Sequence, residues 1–296
     1  MANIITTGSF GLPDSLYPRL WGKVQDASAI AKLAPAEGFV YGNTDVITFT
    51  DYPRAEFVAE GGNKSASKTG FAIKKVATHK VQVTVRTTDE VLIMDEQRQV
   101  GVLDAVMGQM GIAIARAMDI GAFHKIDPLS GTTAASITDN ICATTNSVTA
   151  SAPRTDLDTA VAAVIADGFS PNGIALDPSY AFAFKTAYNS DGSKQYPEVS
   201  MNVRATSTLD GLTAAVSDTV SASKEAASPT NVKGVVGDWN AFKWGIVRNV
   251  PISMIQFGDP DGQGDLKRMN QVALRAEAYI AWAVMDKDAF CKIVSA

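Results

Sequence analysis

Between residues 46 and 125 the chain passes through two strand-like stretches, a polar tip between them, and one long helical periodicity. The first stretch runs from Val46, Ile47 and Phe49 through Phe57 and Val58 to Gly61. The second begins at Phe71 and reaches Val81, Val83 and Val85, which alternate with Gln82, Thr84 and Arg86. That period of two marks a strand with one apolar and one wet face. Between the stretches, residues 62–70 carry Gly62, Asn63, Lys64, Lys68 and Gly70, a tip with little to bury. The pattern predicts a hairpin with two long arms. At about 3.3 Å per residue, such arms extend roughly 50 Å. A compact chain of this length has a radius of gyration of about 19 Å, so much of the hairpin must leave the core.

Residues 97–125 then read as a helix, with Leu103, Val106, Met107, Met110, Ile114, Ala117, Met118 and Gly121 at three- and four-residue spacing. Asp104, Gly108, Ala115 and Asp119 fall on the opposite face. A continuous helix of this span measures about 43 Å, and Gly101, Gly108 and Gly111 each weaken it by about 1 kcal/mol unless packing compensates. Bends are expected there. Further on, helix and strand alternate. Thr155 to Asp158 reads as a capping box and Gly168 as a helix stop. Residues 173–176 form a short buried strand, and Asp177 before Pro178 opens a helix over 179–188 that ends in a turn at 189–194. Residues 132–153 and 217–230, rich in Ser, Thr and Ala, read as loops or mobile connectors bordering this lobe.

This order of parts resembles the major capsid proteins of tailed bacteriophages, the HK97-fold family. Arg116 to His124 is similar to the family's helix end, and Gly237, Asp238 and Trp239 resemble its Gly-Asp-aromatic return segment. The apolar run 272–284, followed by Asp288, Ala289 and Phe290, resembles its closing strand. The resemblance implies an α+β fold. Its parts would be an N-terminal arm (1–40), an extended β-hairpin or E-loop with flanking strands (41–90), a long spine helix (91–130), an α/β axial domain (131–230), and return strands of a peripheral antiparallel sheet (231–296). It further implies a shell protein that assembles into pentamers and hexamers of an icosahedral head around double-stranded DNA. Its chief partners would be copies of itself, met through the tip residues Gly62, Asn63, Lys64, Lys68 and Gly70. A separate scaffolding protein, a portal and decoration proteins are further implied partners, with assembly in the host cytoplasm and residence in the virion.

Composition narrows this picture without altering it. With 296 residues, 46% of them hydrophobic, the chain can fill a sizeable core and is long enough for two lobes. No run of eighteen apolar residues occurs, and the first residues lack a basic region followed by an apolar block, so neither a membrane span nor secretion is expected. Lys and Arg number 26 against 31 Asp and Glu, a net charge of −5, and the basic residues are scattered. Tight DNA binding needs clustered cations that displace counterions; a mildly acidic wall instead encloses DNA without adsorbing it. The two cysteines, Cys142 and Cys291, are far apart and read as ordinary buried thiols.

Candidate chemistry is sparse. His79 and His124 are the two imidazoles, the first on the buried parity of its strand and the second near a helix C-terminus, where a cation is favoured. No nucleophile elbow, phosphate loop, dinucleotide fingerprint or zinc-protease motif is found, so neither catalysis nor a cofactor is expected. Asp259, Asp261 and Asp265 offer oxygen ligands in a Gly-containing turn. Pro260 and the missing closing Glu favour an ordinary acidic turn over a calcium loop. Two other readings stay open: an encapsulin-like cellular compartment, and a monomeric α+β binding protein in which residues 62–70 act as a ligand lid.

Overall fold

The computed structural model describes residues 28–40, 44–49, 53–92, 96–249 and 252–295. Of the expected N-terminal arm, residues 1–27 lie outside the described residues, as do Thr50, Val250 and Pro251 and the side chains of Leu103 and Asp104. The finger is built differently from the two long strand arms expected. β1 (Thr44–Phe49) pairs antiparallel with the start of β2 (Phe71–Thr88), from Thr44 opposite Val76 to Phe49 opposite Phe71. Residues 53–70 contain no strand. The reason is that a strand needs a partner ladder, and the Gly, Ser and Lys residues facing 57–61 have poor strand propensity. The basal part of β2 instead joins β10 (Gln271–Val284), with Ala77 opposite Trp282 and Thr88 opposite Gln271. β8 (Phe242–Asn249) and β9 (Ser253–Ile255) pair with β10 as well, completing a five-stranded sheet.

Helix α2 (Glu96–His124) packs on this sheet, one residue earlier at each end than the expected 97–125, and runs as one helix of 29 residues past all three glycines. Met107, Met110, Ile114 and Met118 are buried, and Val81, Val83 and Val85 lie against the same core. The face opposite the apolar positions is also buried in the C-terminal half. Ala115 and Asp119 are as buried as the residues opposite, because a second layer covers that side. The five-residue helix α1 (Ala29–Leu33) is part of it, capped by the Ser28 hydroxyl, which accepts from the Ala31 N–H at 3.1 Å.

The second layer is a six-stranded sheet in the order β3-β11-β7-β4-β6-β5. Its strands are β3 (Ser147–Thr149), β4 (Gly173–Leu176), β5 (Thr208–Leu209), β6 (Leu212–Val216), β7 (Val232–Gly237) and β11 (Phe290–Val294). β4 is buried throughout, as expected of a short apolar strand. Residues 231–296 therefore feed both sheets, with β8, β9 and β10 in the first and β7 and β11 in the second. One face of the second sheet is covered by α3 (Pro153–Ala166) and α4 (Pro178–Lys185), through Leu157, Val164, Tyr180 and Phe184. Its other face meets α2 across Phe123, Trp239 and Phe290.

The local signals for these helices are met in part. Asp177 caps α4, accepting from the Ser179 N–H at 2.8 Å, with Pro178 in the first turn. Gly168, at φ +87°, ends α3: its N–H reaches Ile165 O and the Phe169 N–H reaches Val164 O, which satisfies two orphan carbonyls. The capping box at Thr155 is corrected. α3 starts two residues earlier, at Pro153, and Asp156 reaches back to the N–H groups of Ser151 and Ala152 at 3.0 and 3.2 Å. Residues 217–222, expected as loop or mobile connector, form a loop, but a buried one, with Thr219, Val220 and Ala222 enclosed between α2 and the second sheet.

Candidate assembly interface

The projecting finger exposes large apolar side chains among the described residues. Ile47, Phe71 and Ile73 on its strands are exposed, and so are Phe57 and Val58 beyond them. The base is fixed. Lys74 Nζ lies 2.8 Å from Asp139 Oδ2, and Asp139 also accepts from the Val284 N–H (3.0 Å) and, through its carbonyl, from Trp282 Nε1 (3.1 Å). At the far end, a turn closed by the Gly62 N–H on Ala59 O (2.9 Å) needs the positive φ of +77° at Gly61. The Arg54 N–H reaches Ser67 Oγ at 2.7 Å, and the Ser65 N–H holds the exposed Glu56 carboxyl below its ordinary range. Gly62, Asn63, Lys64 and Lys68 stand together in solvent with Gly70 half-buried behind them. Neither lysine has an ion pair among the described residues.

Below the finger, an open groove of about 970 Å³ runs between β2 and α2. Val81, Val83, Ala113, Ala117 and Leu129 are among its walls. His79 also lines it, lying against Trp282 with ring centroids 4.1 Å apart and pushed toward the neutral form by burial.

A second set of contacts locks the helix to the other lobe. Asp119 accepts from Ser28 Oγ (2.5 Å), the Ala29 N–H (2.8 Å), the Ile30 N–H (3.4 Å) and Thr219 Oγ1 (3.0 Å). Burial nevertheless pushes its carboxyl up to about 6. His124 donates from Nε2 to Val220 O at 2.7 Å, and burial pulls it down to about 4. The favourable cation expected at the helix end is thus a neutral imidazole instead. Arg116 pairs with Asp218 (2.8 Å) and with Glu225 (2.9 Å from Nε). Sequence reasoning missed this junction because Asp119 falls opposite the apolar positions of the helix and its partners come from remote segments. The one available signal was a carboxylate inside the apolar run 117–123.

The acidic turn is occupied by a guanidinium. Arg86 Nη2 sits 3.0 Å from Asp259 and donates to Gly264 O at 2.9 Å, while its Nε lies 2.8 Å from Asp261 Oδ2. Asp265 accepts from the Arg268 N–H at 3.0 Å. These carboxylates close a turn onto β2. Among the described residues no cluster of His, Cys, Asp or Glu is arranged to hold a metal ion, and no helix is long and apolar enough to cross a membrane. Cys142 and Cys291 are free, and burial pushes their thiols up to about 12 and about 11.

A long helix behind an antiparallel sheet, a second mixed sheet with its own helices, and a finger whose apolar surface is bare among the described residues fit a shell-forming subunit. The comparisons with known proteins specify which. The phage capsid family model matches residues 8–295, and the chain belongs to that family. A chain from Mycobacterium phage Ogopogo is 39% identical, with a TM-score of 0.81 over 91% of this chain and 92% of that one. A chain from Gordonia phage Cozz is 29% identical, with a TM-score of 0.78 over 91% and 86%. The capsid of an empty GTA particle shares the fold at 14% identity, with a TM-score of 0.65 over 91% and 90%. No curated protein sequence matches. The fold is HK97-like and the chain is a structural shell protein of a phage head, so neither the cellular compartment nor the solitary binding protein is favoured.

Proposed function

We propose that copies of this chain close into pentamers and hexamers that tile an icosahedral head around double-stranded DNA, each finger lying over a neighbouring copy. The observation that carries this reading is the apolar surface of the finger: Phe57, Phe71, Ile47 and Ile73 are exposed and uncovered among the described residues. Large bare apolar side chains on an ordered projection mark an interaction surface. A subunit whose donor and acceptor patches differ forms heterologous rings. The five-stranded sheet with α2 then serves as the peripheral lobe and the six-stranded sheet as the axial lobe around the ring axis. Gly62, Asn63, Lys64, Lys68 and Gly70 supply polar contacts between subunits at the tip. The role is structural, and no residue is assigned to catalysis or to a cofactor. The net charge of −5 suits a wall that encloses DNA without binding its sequence. A separate scaffolding protein, a portal and decoration proteins complete the set of partners, with assembly in the host cytoplasm.

Light scattering and negative-stain microscopy of the purified protein test this directly. Capsomers or shells have masses far above 31.2 kDa, whereas a solitary chain at high concentration rejects the reading. Replacing Lys64 and Lys68 together with Ala is expected to lower shell yield or melting temperature. Unchanged values for both would remove the tip from the interface.

A further inference from the structure

Two lysines stand side by side at the end of α4 with nothing negative between them. Lys185 is the last residue of that helix and is buried, at 8% exposure. Its Nζ donates to Val199 O at 2.6 Å, which uses one of the three N–H bonds of an ammonium. The side-chain nitrogen of Lys194 lies within hydrogen-bonding reach of the same Nζ. An ammonium has no lone pair, so two of them in this position offer each other donors only, and they repel.

The backbone brings Lys194 to this place. Residues 187–195 fold back on the end of α4: the Gln195 N–H reaches Ala187 O at 3.0 Å, the Asn189 N–H reaches Ser193 O at 2.8 Å, and Tyr188 and Lys194 form an antiparallel bridge. No carboxylate relieves the pair. Neither lysine has an ion pair among the described residues, and the acidic residues of the same loops turn to other donors. Asp191 Oδ1 accepts from the Ser193 N–H at 2.9 Å and from Ser193 Oγ at 2.6 Å. Glu198 Oε1 accepts from the Asp210 N–H at 3.0 Å. Burial first, and Lys194 after it, hold the Lys185 ammonium below the ordinary range of a lysine. An anion with several acceptor oxygens, set against both nitrogens, removes the conflict by taking a charge-assisted hydrogen bond from each.

We propose that Lys185 and Lys194 together bind a small tetrahedral oxyanion of the inorganic phosphate class, which ties the loop 187–195 to the end of α4. The site is independent of how copies of the chain assemble, so its failure leaves the assembly reading intact. Thermal melts of the full chain in phosphate, against chloride of matched ionic strength, test it, with equilibrium dialysis of phosphate as the direct measurement. Phosphate at about twentyfold its dissociation constant is expected to raise the melting temperature by about 3 °C. Lys194→Met is expected to abolish that rise and, in chloride, to melt no lower than the unaltered chain, because it removes a repulsion and no ion pair. A variant that melts lower in chloride and still responds to phosphate would give Lys194 a purely structural part and overturn the site. Identical melts in phosphate and chloride, with no phosphate retained on dialysis, overturn it as well and leave Lys185 a neutral amine that accepts from Lys194. Lys194→Gln is the second variant, and phosphate retained equally by it and by the unaltered chain overturns the assignment to this pair. Duplex DNA of equal phosphate content forms the last arm: protection by DNA without protection by the free ion assigns the lysines to a polynucleotide backbone and overturns the small-anion site.

Discussion

Asp119 and His124 stand five positions apart on one helix and are shifted in opposite senses by the same burial. Asp119 is pushed from 3.8 up to about 6, so its folded form prefers the proton and the fold gains stability as pH falls through 6 toward 3.8. His124 is pulled from 6.5 down to about 4, so its folded form rejects the proton and the fold loses stability as pH falls from 6.5 to 4. Each linkage amounts to about 3 kcal/mol at full extent, and over this window the two nearly cancel. Removing one partner uncovers the other. Asp119→Asn is expected to steepen the loss of stability between pH 6.5 and 4 relative to the unaltered chain, and His124→Asn to turn it toward a gain. Thermal melts across that range check both signs, and parallel curves for all three proteins would remove the opposition. Gly245 presents a steric case at the same scale. A methyl group there would meet Glu37 O at 1.9 Å and Phe39 at 2.7 Å, because residues 36–39 cross directly over it. Gly245→Ala is expected to cost about 2 kcal/mol or more in urea unfolding, as overpacking does.

At the scale of elements, α2 shows how far periodicity carries. The core positions Met107, Met110, Ile114 and Met118 were legible, because a helix side that buries must be apolar. The opposite side carries the charged Asp119 and the small Ala115 and Gly108, and periodicity alone gave it no partner. It is buried because small residues admit a close second layer and Asp119 finds four donors in it. The strap at 217–225 was illegible for a related reason. Its Ser, Thr and Ala residues look like linker, yet Thr219 and Ser221 bond Asp119 and Asp177 and make burial affordable. Arg116 clamps its outer end. Burial works to raise the carboxyl of Asp218, but Arg116 and Lys224 hold it at about 2. Arg116→Ala is expected to destabilise the chain by about 2 kcal/mol, with Arg116→Lys recovering part of the loss, as measured by denaturant midpoints.

At the scale of the whole molecule, the chain commits little of itself to closing its own edges. Segments distant in sequence meet across both sheets: β10 joins β2 nearly two hundred residues away, and β11 lies between β7 and β3. The finger projects, with Phe57, Phe71 and Ile73 exposed among the described residues. A subunit with large apolar side chains bare on an ordered projection, among the described residues, is suited to a role in a shell, where copies of itself cover them.

Local rules determined what depended on neighbours in sequence: the span of the long helix, the caps at Asp177 and Gly168, the buried strand at Gly173, and the outward character of residues 62–70. The order of these parts was enough to indicate the family. Only the tertiary structure decided which strand joins which sheet, that the first finger arm stops pairing at Phe49, that Asp119 is enclosed, and that the carboxylates at 259–265 belong to Arg86. The physical reason is range. A cap or a periodic face is settled within one or two turns, whereas a ladder, a buried ion or a free edge depends on which remote segment arrives beside it.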